Sequence, residues 1–444
     1  MLEWMKKRNK VIGHFAGRIG LFPAVALALC AGLVVVFAAY RLLRWITPVD
    51  ARKGAAEIDV TRIALTVVAG VGGVVALVIA YRRRRDIEQD RFVERFGTAA
   101  AQLGATDVAV RIAGVYAMAG VADEADGLRR QQCIDVLCGY LRSPYGPELG
   151  ANHQSKLVLE HHRATADGIR SGDQERHLEY RHNDSEVRAT IIEVIADHVR
   201  NSAECSWSTS DFDFRTAHLE NVDFNHAEFS GKARFAGATF SGAASFEDAT
   251  FSGVADFAGA TFSSRSWFAR ATFSSGADFA GATFSESADF NRAIFSHLAW
   301  LEGTIFSDDV DFSEVTFSFS SMFARATFSG STDFMRATFC GITRFNLATF
   351  SGRAGFEYTT FSRSTEFEGV TFSSGTSFEG ATFTDTVGFG HVDFGTETVS
   401  FVRPKQWGPP APTFDWNDDV SQKPGNVAPS DWPPVAVGVT PSAS

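Results

Sequence analysis

The chain has only five cysteines in 444 residues, and their spacing offers no framework. Cys30 sits in an apolar run, Cys133 and Cys138 share one helical stretch, Cys340 replaces a repeat serine, and no CxxC pair occurs. That argues against a disulfide scaffold and suits a reducing compartment. GxSxG, Walker A, HExxH and kinase-like motifs are also missing, so no known catalytic signature is expected to act here. Six of the eleven histidines fall between His153 and His198, without a metal-ligand spacing. The sequence therefore points away from an enzyme and from any cofactor or metal. Basic charge is scarce in the C-terminal half: Cys205 to Ser400 holds 24 acidic and 11 basic side chains. Such a surface repels phosphates and argues against nucleic acid as a partner.

Charge is absent altogether from residues 19–40 and 63–81. At ~1.5 Å per residue each is long enough to cross a ~30 Å hydrocarbon core. Tyr40, Trp45 and Tyr81 stand where interfacial aromatics belong. The expectation is a two-helix transmembrane hairpin in a membrane-anchor domain, 1–85. The run Arg82, Arg83, Arg84 and Arg85 places both termini on the cytoplasmic side of a multi-pass plasma-membrane protein. The same arginines would hold anionic lipid headgroups, roughly 1 kcal/mol each near the surface.

From 86 to 204 the apolar spacing becomes helical. Val108, Ile112, Val115 and Ala119 share one face behind Asp107, a plausible N-cap, while Ile134, Leu137, Cys138 and Leu141 share another. Asp107-x-x-Val-Arg111 returns as Asp184-x-x-Val-Arg188 before a third helix. This echo resembles HEAT-type repeats and implies a small HEAT-like α-helical domain that docks or spaces.

What the chain has in abundance is phenylalanine at fixed intervals. One series runs through Phe240, Phe251, Phe262, Phe273, Phe284 and Phe295. The other runs through Phe235, Phe246, Phe257, Phe268, Phe279 and Phe290, takes Leu301 once, and resumes. Spacings alternate five and six, giving an 11-residue period from Phe229 to Phe394, and only a repeat architecture sustains such regularity. Two residues before almost every Phe stands a small or β-branched residue such as Ala238, Ala244 or Ser266.

These Ala-x-Phe-x-x units resemble pentapeptide-repeat proteins. The resemblance implies a right-handed quadrilateral β-helix, a β-solenoid with one unit per side and inward Phe stacks, over 205–400. The extra residue in alternate units predicts 22-residue coils with a bulge on two sides of each. At ~4.8 Å per coil, eight or nine coils make a rod of roughly 40 Å. The remainder, 401–444, is proline-rich and is expected to be a flexible tail, with Phe401, Trp407 and Trp416 folding over the last coil. The fold class is thus multidomain α and β: membrane hairpin, helical domain, β-solenoid.

A 22-residue coil stacks Asp289, Asp311 and Asp333 in one column. Arg270, Arg292 and Arg336, interrupted by Glu314, form a second column three residues on. Trp267 and Trp300 are the candidate exposed aromatics for partner contact. The expected function is a membrane-tethered, non-enzymatic scaffold that binds an unidentified protein or a second copy of itself. The alternative comes from the resemblance, since some pentapeptide-repeat proteins mimic duplex DNA and bind type II topoisomerases.

Overall fold

The computed structural model describes residues 55–146, 156–161, 174–179 and 184–437, with five helical positions before residue 46. Two units separate, 1–94 and 95–444. The first helix, α1 (Ala55–Leu103), is 49 residues long. It contains the charge-free run 63–81 and continues without a break through Arg82–Arg85 into a mixed-charge stretch. Among the described residues no helix is long and apolar enough to cross a membrane. This overturns the expected transmembrane hairpin, and with it the multi-pass plasma-membrane placement and the fold class built on them. The physical reason lies in the helix itself: the apolar run is no separate span but one part of a longer element with 13 charged residues, ten of them from Arg82 onward. Residues 19–40 lie outside the described residues apart from Val34, Phe37 and Ala38.

After the end of α1 the described residues of the second unit form three short helices, α2 (Val108–Asp123), α3 (Leu128–Leu141) and α4 (Asp184–Val199). Asp107 caps α2, accepting from the backbone N–H groups of Ala109 and Val110. An antiparallel strand pair, Lys156–His161 with Gln174–Glu179, lies between α3 and α4 in the chain. The described helices do not confirm the expected HEAT-type stack. The repeated Asp-x-x-Val-Arg motif has a different explanation. Arg111 Nη1 donates to Asp184 Oδ1 at 2.6 Å, and Arg188 Nε donates to Asp184 Oδ2 at 2.9 Å. Both arginines thus converge on one buried carboxylate, with Tyr140 adding its hydroxyl at 2.6 Å. A buried carboxylate is tolerable only when it is paired and hydrogen-bonded in this way.

The rest of the chain is a solenoid of about nine turns with four parallel sheets of 10, 8, 10 and 9 strands. Taking the strands in chain order, Ala233–Arg234 lies on face 1, Thr239–Phe240 on face 2, Ala244–Ser245 on face 3 and Thr250–Phe251 on face 4. The register between coils is 22 residues, as in Thr261 with Thr283 and Asp311 with Asp333. Phe235 to Phe295 of both series are buried and form the core. Along the rod the rings stack in parallel, 4.5 Å apart for Phe240 and Phe262. Across it they meet edge to face, as Phe257 and Phe268 do at 5.6 Å. Both geometries suit the ring quadrupole, so one residue type can stack along all four columns. Where Thr304 and Thr359 replace the small residue, their hydroxyls donate to the carbonyls of Phe279 and Phe334.

The alternating spacing is resolved at the corners rather than by a strand bulge. In a five-residue interval the chain makes a tight turn, Ala238 N–H donating to Phe235 O at 2.9 Å. The third turn residue has positive φ, as Gly237 does at 64°, which defines a type II turn. In a six-residue interval three residues, for example Ser241 to Ala243, round a looser corner. Tight corners therefore join faces 1 and 2 and faces 3 and 4; loose corners join the other pairs.

The helices cover one end of the rod. Trp207 is buried, stacks on His198 at 4.0 Å and donates from Nε1 to Asp123 Oδ1 at 2.9 Å. At the other end residues 401–437 extend the solenoid instead of leaving it. Val399–Ser400 and Val427–Ala428 join face 3, and Gln406–Trp407 joins face 4. Phe401, Trp407, Phe414 and Trp416 surround Trp432, whose ring lies 5.0–6.0 Å from theirs. This aromatic plug shields the last strand edges.

Candidate interaction surface

Face 3 carries Trp267, Asp289, Asp311 and Asp333 in consecutive register, with Trp267 directly beside Asp289. Each of the three aspartates spends one oxygen on its own turn. Asp289 Oδ1 accepts from Asn291 N–H at 2.8 Å, Asp311 Oδ1 from Ser313 N–H at 2.7 Å and Asp333 Oδ1 from Met335 N–H at 2.7 Å. This is the Asx turn, and it explains an Asp just before the Phe without any ligand. Burial still raises the pKa of Asp289 and Asp333, and the facing Asp311 adds to the rise in both. A cationic partner would relieve that stacked charge.

Arg270, Arg292, Glu314 and Arg336 occupy the positive-φ position of the corner between faces 3 and 4, all with φ of 56–57°. Arg270 pairs with Asp248 at 2.8 Å and also with Glu247. Arg292 pairs with Glu314 at 2.8 Å. These arginines hold Asp248 and Glu314 below the usual carboxylate range. Arg336 is exposed and has no ion pair within 4 Å among the described residues. The expected column therefore exists, but most of it is internally neutralised along the corner itself, not across to the aspartates.

Trp300 is elsewhere. It lies on face 1, opposite Trp267, in register between Asp278 and Met322. It is 45% exposed, and Phe319 (55%) and Ile342 (42%) stand exposed at the loose corner beside it. Sequence reasoning missed this second surface. Its signal was Phe319, a Phe outside both series.

Among the described residues no group of three or more His, Cys, Asp or Glu is placed to hold a metal. The recess between α4 and the first coil, lined by Tyr145, Arg188, His218 and Glu220, has about 10 Å³ of solvent-sized space, room for one water.

Against known families, the model described as pentapeptide repeats (9 copies) matches residues 224–272, 235–283 and 268–316. Residues 224–316 are pentapeptide repeats. The four-faced geometry continues beyond them on both sides, with the 22-residue register kept as far as Thr365 with Val387 and a 21-residue register in the first coil, as in Phe212 with Ala233. No curated protein and no solved structure matches the chain.

Proposed function

We propose that the solenoid is a non-enzymatic protein-interaction module whose partner docks on face 3 and its charged corner. The observation that carries this reading is the retention of seven non-glycine residues, His226 to Tyr358, at positive φ along that corner. Each costs about 1 kcal/mol relative to glycine, and their ion pairs, being exposed, return little. Side chains kept against backbone preference are side chains that present a surface. Trp267 at the head of three carboxylates supplies an aromatic anchor with an acidic flank, which suits a partner with an apolar pocket rimmed by Lys or Arg.

Crosslinking with mass spectrometry from native cells tests the reading. Wild-type chain should link reproducibly to one protein through face 3. The Asp289→Asn/Asp311→Asn/Asp333→Asn variant keeps the turn acceptors but removes the charge, and should lose those links at an equal or slightly higher melting temperature. Links that persist in the variant would overturn the assignment. The DNA-mimic alternative has less support, because the arginine column interrupts the acidic face. It requires inhibition of topoisomerase supercoiling at micromolar chain.

A further inference from the structure

Face 1 has a self-complementary pattern when its rows are read in opposite directions. Along the face the outward strand positions run Asp256, Asp278, Trp300, Met322, Arg344 and Glu366, consecutive in register. Along the adjoining loose corner Ser275, His297, Phe319 and Gly341 stack, and beside them Gly276, Leu298, Ser320 and Ile342. Reversing the order about the midpoint between the Trp300 and Met322 rows pairs unlike with unlike. Asp278 falls opposite Arg344, Gly276 opposite Ile342, His297 opposite Phe319 and Trp300 opposite Met322.

We infer that face 1 is the isologous interface of an antiparallel homodimer, in which two rods pack about a two-fold axis between those central rows. A two-fold axis requires that residue i meets j wherever j meets i, and this surface meets the condition with one charge pair, one large-over-glycine pair and a central aromatic and sulfur contact. Asp278 has no cation within 4 Å among the described residues, and the partner's Arg344 supplies one. Arg344 is held by Glu366 at 3.4 Å with both side chains over 40% exposed, loosely enough to be shared. Asp256 falls opposite the partner's Glu366, so like charges mark the rim. The interface is then about four central rows, ~20 Å long at ~4.8 Å per row, and small enough to put the dimer at the weak, micromolar end of specific association. An unrelated protein has no reason to match the same surface in reverse order; a second copy does. The inference goes beyond the face 3 reading and uses none of its residues.

Full-length chain carrying Asp278→Cys and Arg344→Cys in a Cys340→Ser background provides the test. Those two sites lie three rows apart within one chain, ~14 Å, too far for an internal disulfide. Mild oxidation at 50 µM chain should give a covalent dimer, and each single-cysteine variant should give at least tenfold less. Asp278→Arg should weaken the dimer tenfold or more by sedimentation equilibrium, and Asp278→Arg/Arg344→Asp should restore most of the loss. No covalent dimer, an equal yield from the single variants, or no rescue by the charge swap would overturn the interface. The aspartate variant of face 3 leaves the crosslink unchanged, so failure of either idea is read separately.

Discussion

The two tight corners of the solenoid have the same backbone and a different share of glycine at its positive-φ position. Between faces 1 and 2 the positive-φ position is glycine in five coils, Gly237, Gly259, Gly281, Gly303 and Gly369, and Thr216, Arg325, Leu347 and His391 stand there in the others. Between faces 3 and 4 the same position is His226, Asp248, Arg270, Arg292, Glu314, Arg336 and Tyr358. Both belong to type II turns closed by the same hydrogen bond, as Ala282 N–H to Phe279 O and Ala271 N–H to Phe268 O show at 2.9 and 3.0 Å. The comparison separates what the coil needs from what its surface offers. Glycine is what the backbone alone would select; a larger side chain there is an addition, made in seven consecutive coils between faces 3 and 4.

Substitutions at matched positions break or sharpen that contrast. The largest effect should be common to both corners, since they share one core. Phe268→Ala and Phe279→Ala each remove a buried ring and should cost roughly 3–5 kcal/mol in denaturant unfolding. Values that differ by several-fold would show that the corners do not rest on equivalent packing. Next in size, Gly281→Ala places a Cβ at φ 64° and should cost about 1 kcal/mol, whereas Arg336→Gly should stabilise by about the same amount. Equal signs for the two changes would remove the strain argument. The smallest effect is with pH. Asp333 titrates above the usual carboxylate range when folded, so the folded state holds this proton more tightly. Its contribution to stability is therefore largest at low pH and falls as pH rises from about 3.8 through the raised value. Asp333→Asn should remove that fall and raise the melting temperature at pH 7 slightly, with no gain at pH 3.

How much of this was legible in the sequence follows from what each residue type encodes. The period of Phe240 and Phe246 gave the coil length and the core, because a buried ring must recur once per side. The corner geometry was hidden, since Arg270 and Arg336 occupy a position where glycine would have announced a positive φ. The aspartate column was visible, but its turn-capping role required the backbone. The apolar run 63–81 misled because composition shows no helix ends, and the helix containing it runs on through Arg82–Arg85. Likewise the prolines after Phe401 suggested a loose tail, while the deciding residues were Trp407, Phe414, Trp416 and Trp432, which close the rod.

The central claim is that the charged corner is kept for the surface it presents, against the preference of its backbone. The direct measurement compares wild type with Arg270→Gly/Arg292→Gly/Arg336→Gly in parallel, for unfolding free energy and for recovery of the face 3 partner by crosslinking. The account predicts equal or greater stability together with loss of the partner. A variant that is no less stable and still recovers the partner in full would contradict it.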